Sequence, residues 1–240
     1  MHAIGLSSQV YLIYLLLLIP FAAIRSARHF NAPASPDGAP PWRPLPSRLR
    51  MFISTSIILT ILFALAWFTA RSFDYEIFAL PRFGVREALE GAAALAVCFV
   101  MIFVGRAIRT PEEIAKLPVN RLMPQGPRET VAYSVMSIVA GISEEAAYRG
   151  VLVQVLWYAL GNGWIAVLIA ATAFAVAHAL QGWKSILIIF VIACVMHALV
   201  WFTGTLVIAM VVHATYDLAV PTIRRRISPA PPRDPERSAG

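Results

Sequence analysis

Two adjacent carboxylates and a guanidinium, Glu144, Glu145 and Arg149, stand in the stretch GISEEAAYRG, between ETVAYSVMSIVA and VLVQVLWYAL. Both flanks are apolar enough to sit in lipid, where a charge is costly and by default signals function. Three further apolar runs carry ionisable groups. TAFAVAHAL holds His178, IACVMHALV holds His197, and MVVHATYDLAV holds His213 and Asp217. Glu145 and Arg149 are four apart with the acid first, so they can pair on one helical face. His213 and Asp217 share a face by the same interval, and Phe174 lies one turn before His178. Glu144 sits about 100° round a helix from Glu145. The two acids are therefore expected to have different partners, with Glu145 tied to Arg149 and Glu144 free.

An unpaired carboxylate in a low dielectric holds a proton more tightly than in water. Such a glutamate, beside an imidazole from another helix, can take a proton from water near neutral pH. The hydroxide can attack a peptide carbonyl, and the tetrahedral intermediate then needs a donor aimed at its oxygen. His213 can supply that donor. The same residues have blander uses. A Glu–Arg pair can simply lock two helices together, and a lone histidine in a span can be an interhelical hydrogen-bonding group. His197, with no polar neighbour three or four residues away, is read in that second way. Tyr148 and Tyr216 read as packing and capping groups. What favours chemistry is conjunction, because three separate helices each bring a polar set.

The elements that must position these groups are membrane helices. The chain has 240 residues, 59% hydrophobic and 14% charged, with mean hydropathy +0.70. Soluble domains are roughly half apolar and a quarter charged. Apolar runs fall at 5–24, 51–70, 88–108, 130–160, 163–180, 184–202 and 204–221. They are too long for buried strands and lack the alternation of barrel strands. Backbone in lipid must satisfy itself internally, so the expected fold is all-α, a polytopic transmembrane bundle of about seven (six to eight) helices. The run 130–160 would be about 46 Å long as a straight helix, so it is expected to tilt strongly or to break near Arg149-Gly150. One tension follows. Glu144 would lie about 24 Å in from Arg128, whereas His178 falls near the end of its own run.

Basic residues outnumber acidic ones by 20 to 13. They gather in alternate connections, at 25–50, at 106–129 and at Arg224-Arg225-Arg226. The bilayer, not nucleic acid, accounts for this pattern. The positive-inside rule then places the C-terminus in the cytoplasm and the N-terminus outside. The segment 31–46 holds six prolines and reads as an extended loop. Residues 224–240 read as a disordered, basic, proline-rich tail. Residues 1–129 form an N-terminal helical part and 130–223 the part that bears the polar sets. Cys98 and Cys194 both lie in apolar runs and offer neither a disulfide framework nor a metal knuckle. The first run lacks the basic flank and the cleavage site of a signal peptide and reads as a retained span.

Three motifs in order carry a family resemblance. EEAAYR resembles the EExxxR motif of the CAAX prenyl protease and bacteriocin-processing (CPBP, Abi) family, FAVAH its FxxxH motif, and HATYD its third motif, a His followed four residues on by Asn or Asp. The resemblance covers about 130–220. It implies a glutamic-type intramembrane endopeptidase with no cofactor, acting on a membrane-anchored protein or peptide. By match of motif, Glu144 would be the general base, His178 its partner on the water, and His213 the group at the oxyanion. Glu145 and Arg149 would be structural or substrate-positioning, with Phe174 beneath His178. Asp217 stands where the eukaryotic peptidases have Asn. An ionised Asp can only accept hydrogen bonds, so it is expected to orient His213 instead. Glu144, His178 and His213 are also a plausible zinc set by ligand type, although no HExxH occurs. Small size and an Arg-rich, Lys-poor composition fit a bacterial inner (plasma) membrane. Two other classes remain open: a non-enzymatic immunity or scaffold protein, and a transporter with a Glu144–His178 proton relay.

Overall fold

The computed structural model describes residues 5–30, 47–80 and 83–227. The proline-rich loop 31–46 and the tail beyond 227 lie outside them. Among the described residues there are nine helices and no strand, as the apolar runs require. Helix α1 runs Leu6–Ile13, passes through a π-helical segment, Tyr14–Leu18, and continues as Ile19–Phe30. Then follow α2 (Arg48–Arg71), α3 (Val85–Ala107), and the short α4 (Pro111–Ala115) and α5 (Pro118–Arg121). Helix α6 is Pro127–Glu144, a π-helical segment Glu145–Leu152, and Val153–Leu160 without interruption. After it come α7 (Gly163–Ala177), a 3-10 turn Ala179–Gln181, α8 (Trp183–Thr203) and α9 (Leu206–Ile227).

Five of these segments are long and apolar enough to cross a membrane: Leu6–Arg28, Arg48–Arg71, Val85–Ala107, Trp183–Thr203 and Leu206–Arg226. Their outward faces are oily, as lipid contact demands, with Ile57, Phe68, Leu89 and Trp201 all exposed. Their contact faces are small. Ala66, Ala146, Ala147, Ala166, Ala170, Ala171, Ala193 and Ala209 are fully buried. Lipid is as apolar as leucine, so close packing of small side chains is what holds membrane helices together.

Helix α6 is central and packs against α2 on one side and α9 on the other, while α8 packs against α7 and α3. Helices α6 and α9 meet backbone to backbone at Gly141, where an added Cβ would lie 2.9 Å from the Ala214 nitrogen and the Met210 carbonyl of α9. The apolar run 130–160 does not break at Arg149-Gly150. It widens into a π segment, which keeps every backbone group inside the helix while shifting the register of its side chains.

Polar ties mark one end of the bundle. Arg48 pairs with Glu129 at 2.9 Å, and Lys184 with Glu113 at 2.7 Å. That bond to the Lys184 ammonium holds the Glu113 carboxyl below its usual pKa. Arg109 donates to Ser185, and Arg225 to the Pro124 carbonyl. All these residues come from the basic connections and adjoining helix ends. The arginine triplet 224–226 is helical, because α9 runs on to Ile227, where the sequence suggests the start of a disordered tail.

Gly141→Ala should therefore cost about 1–3 kcal/mol through overpacking against backbone that cannot yield. A thermal melt in detergent should show a lowered midpoint, and an unchanged midpoint would show that α6 and α9 can move apart.

Candidate active site

Glu144 closes the α-helical part of α6 and Glu145 opens its π segment. The change of helix type falls between the two acids. Both face the same histidine. His213 of α9 contacts Glu145 Oε1 through Nδ1 at 2.7 Å, and its Nε2 stands 3.7 Å from Glu144 Oε2. The expectation of separate partners is corrected by this geometry: one imidazole offers a nitrogen on each of two edges, so two acids about 100° apart can each reach one. A carboxylate can only accept, so Nδ1 of His213 carries the hydrogen and Nε2 is turned toward Glu144.

Glu145 is wholly buried and Arg149 nearly so. Their closest atoms, Oε1 and a terminal guanidinium nitrogen, are 3.2 Å apart, which is charge contact without hydrogen-bond geometry. The guanidinium carbon sits 4.0 Å over the Phe174 ring. Phe174 in turn lies 4.8 Å from the His178 ring, 6.3 Å from that of His213 and 5.1 Å from Tyr148, centre to centre. The Phe174 ring thus spaces all three polar sets.

His178 caps the C-terminal end of α7, and its Nδ1 is 2.9 Å from the Phe174 carbonyl. A carbonyl oxygen accepts, so Nδ1 carries the hydrogen and Nε2 is left as the acceptor. The depth tension has a simple resolution. Helix α7 has 15 residues, about 22 Å, against a hydrocarbon core of about 30 Å. It stops short, the chain turns through Ala179–Gln181 and Gly182 at φ +89°, and His178 remains inside the bundle.

Asp217 is 3.7 Å from His213 Nε2. The orienting bond expected of it is made by Glu145 instead, from the opposite ring nitrogen. Asp217 is itself fixed by a feature the sequence reading passed over. Pro221 lies four residues on, inside α9, and has no N–H to offer the Asp217 carbonyl. The Tyr133 hydroxyl of α6 donates to that carbonyl at 3.1 Å. Tyr11 of α1 donates likewise to the Ala147 carbonyl of the π segment at 3.0 Å. The one signal for the first tie was the i,i+4 pair of Asp217 and Pro221. Tyr11 had none. His197 is buried beside this cluster, and its Nε2 has no partner among the described residues, contrary to the satisfied role expected for it.

Glu144, Arg149, Phe174, His178, His213, Tyr216 and Asp217 all line one cavity of about 350 Å³. It extends along α9 past Val220 to Arg224 and under Val119, Leu122 and Met123, and so toward the basic end. Among the described residues no group of three or more His, Cys, Asp or Glu is arranged to hold a metal ion.

Residues 126–219 match the family model described as type II CAAX prenyl endopeptidase, Rce1-like. The match spans the three motifs and bears out the resemblance they carry. No curated protein and no solved structure matches the chain.

Two outcomes follow from the geometry. Glu145→Gln leaves a buried Arg149 without its counter-charge and should cost about 3–5 kcal/mol, whereas Glu144→Gln should leave the melting midpoint nearly unchanged. Equal effects on thermal stability would contradict the division of labour between the acids. Tyr133→Phe strips the Asp217 carbonyl of its donor and should cost about 1–3 kcal/mol. A double variant that also replaces Pro221 by Ala restores the helical N–H and should recover most of that loss in the same melt.

Proposed function

We propose, from a chain whose residues 126–219 match CAAX prenyl endopeptidases, that this protein hydrolyses a peptide bond of a membrane-anchored protein or peptide with a glutamate-activated water. The observation that supports this best is the convergence of Glu144, His178, His213 and Asp217 on one cavity inside a membrane bundle.

In this reading Glu144 is the base. It has no hydrogen bond among the described residues other than its long approach to His213, and it lines the cavity. Water held between Glu144 and His178 Nε2 gives a proton to Glu144 as its oxygen adds to the scissile carbonyl carbon. The carbonyl oxygen becomes the oxyanion. His213, held by Glu145 through Nδ1, offers Nε2–H to that oxygen when both ring nitrogens carry protons. Glu144 then returns its proton to the departing amine nitrogen as the C–N bond breaks. Asp217 lies on the Nε2 side and balances the charge of the doubly protonated ring. Arg149 and Phe174 keep the imidazoles at their spacing.

The cavity extends toward the basic end, and the positive-inside rule makes that end cytoplasmic. The substrate is then presented from the cytoplasmic face of a bacterial inner membrane. No metal is required by this route.

Proteolysis should be measured in liposomes against a library of tail-anchored and leader-type peptides, with and without a chelator. Wild-type cleavage should fall by about 10²-fold or more in Glu144→Ala and in His178→Ala, and should survive the chelator. Loss of cleavage to the chelator would replace the glutamate route by a metal. Cleavage undiminished in Glu144→Ala would remove the base from the mechanism.

A further inference from the structure

One stripe of α9 runs from the reacting groups to the end of the cavity. His213, Asp217, Val220 and Arg224 follow at intervals of four, three and four, which is one helical face, and all four line the cavity. Arg224 lies about 10 Å along the axis from Asp217 and about 16 Å from His213. Side chains on a helix lean toward its N-terminus, so the guanidinium leans back along the cavity toward the site.

Arg224 is short of partners. A terminal nitrogen reaches Asn120 Oδ1 at 3.5 Å, and its Nε is buried with none. Among the described residues no carboxylate pairs with it. It also lines a smaller cavity of about 90 Å³ with Arg106, Arg109 and Tyr216. Arg109 donates to the Gly105 carbonyl and to Ser185 and has no ion pair among the described residues. The nearby acid, Glu113, is bound by Lys184 at 2.7 Å. Three guanidinium groups, those of Arg106, Arg109 and Arg224, thus line this smaller cavity, and among the described residues no carboxylate pairs with any of them. Arginine is the side chain suited to planar, two-point recognition of a carboxylate. A buried guanidinium N–H left unmatched is costly, which such a ligand relieves.

We infer that Arg224, backed by Arg109, receives a carboxylate of the bound peptide on the side of the scissile bond nearer the basic end, and so selects substrate. At about 3.3 Å per extended residue, the 10–16 Å interval holds about three to five residues. The carboxylate belongs either to the chain terminus or to an acidic side chain at that distance. This rests on the peptidase reading, so the test measures binding and stands apart from cleavage.

Full-length Glu144→Gln protein in nanodiscs is exposed to a randomised pool of N-palmitoylated decapeptides. The pool is made as free acids, as C-terminal amides, and as amides with one Asp or Glu among the last five residues. Retained peptide is quantified by mass spectrometry. Free acids should be retained about tenfold or more over plain amides. Adding Arg224→Gln should bring the ratio close to one, and Arg224→Lys should keep part of it. Acid-bearing amides retained over plain amides assign the site to a side chain, and retention of free acids alone assigns it to the terminus. Equal retention of all three pools by the Arg224-intact protein needs no folding control and overturns the inference, as does a preference that survives Arg224→Gln. A preserved preference, with a wild type that cleaves none of the peptides, would sink the peptidase reading and leave the carboxylate site standing.

Discussion

The contact on which the rest of the site depends is that of one buried carboxylate with two partners. Glu145 is fully enclosed and meets Arg149 of its own helix and His213 of α9. Burying a charge among apolar helices is unfavourable unless it is matched. The match here requires α6, α7 and α9 to be in place together, because Arg149 also lies on Phe174. The interaction is at once a clamp between helices and the device that turns His213 Nε2 into the cavity. The scaffold reading of these residues and the catalytic one are therefore complementary: Glu145 holds, and Glu144 is left available.

The two acids divide this labour across one ring. Adjacent helical residues diverge by about 100°, and the two nitrogens of His213 lie on different ring edges, so Glu145 takes Nδ1 while Glu144 faces Nε2. A π segment begins between the two acids. Such bulges are uncommon and recur at functional sites. Here the bulge has external support, because the Tyr11 hydroxyl meets the Ala147 carbonyl. The N-terminal helices carry no motif, yet α1 holds the backbone that carries the first one. On α9 the corresponding irregularity is Pro221, whose missing N–H is replaced by the Tyr133 hydroxyl at the Asp217 carbonyl. Helices α6 and α9 thus both depart from regularity where they face the cavity, and a tyrosine from another helix completes each.

The cavity also gives the bundle a direction. Its acids and imidazoles lie by the end of the shortened α7, and its wall continues along α9 to Arg224 at the basic end. The charge bias read from the sequence and the charge at the cavity end come from the same connections. From that end, Arg224 comes before Glu144 along the cavity wall.

Much was legible in the residues themselves. Hydropathy and the need for internally satisfied backbone dictated an all-helical membrane bundle, and costly charges in oil singled out Glu144, Glu145, Arg149, His178, His213 and Asp217. Spacing alone paired Glu145 with Arg149 and set Phe174 beneath His178, because those contacts lie within one helix and follow its period. What crossed between helices was not legible. Spacing carries no information on which imidazole nitrogen faces which acid, so the orienting role went to Asp217 when Glu145 holds it. Hydropathy sees a long apolar run but not a π segment, because the widened turn is set by packing around Gly150, Tyr75 and Leu206. The partners of Tyr11, Tyr133 and Arg224 are 136, 84 and 104 residues away. Only the packed bundle brings such distant groups together, and it alone decided which polar residues hold the helices and which are left free to react.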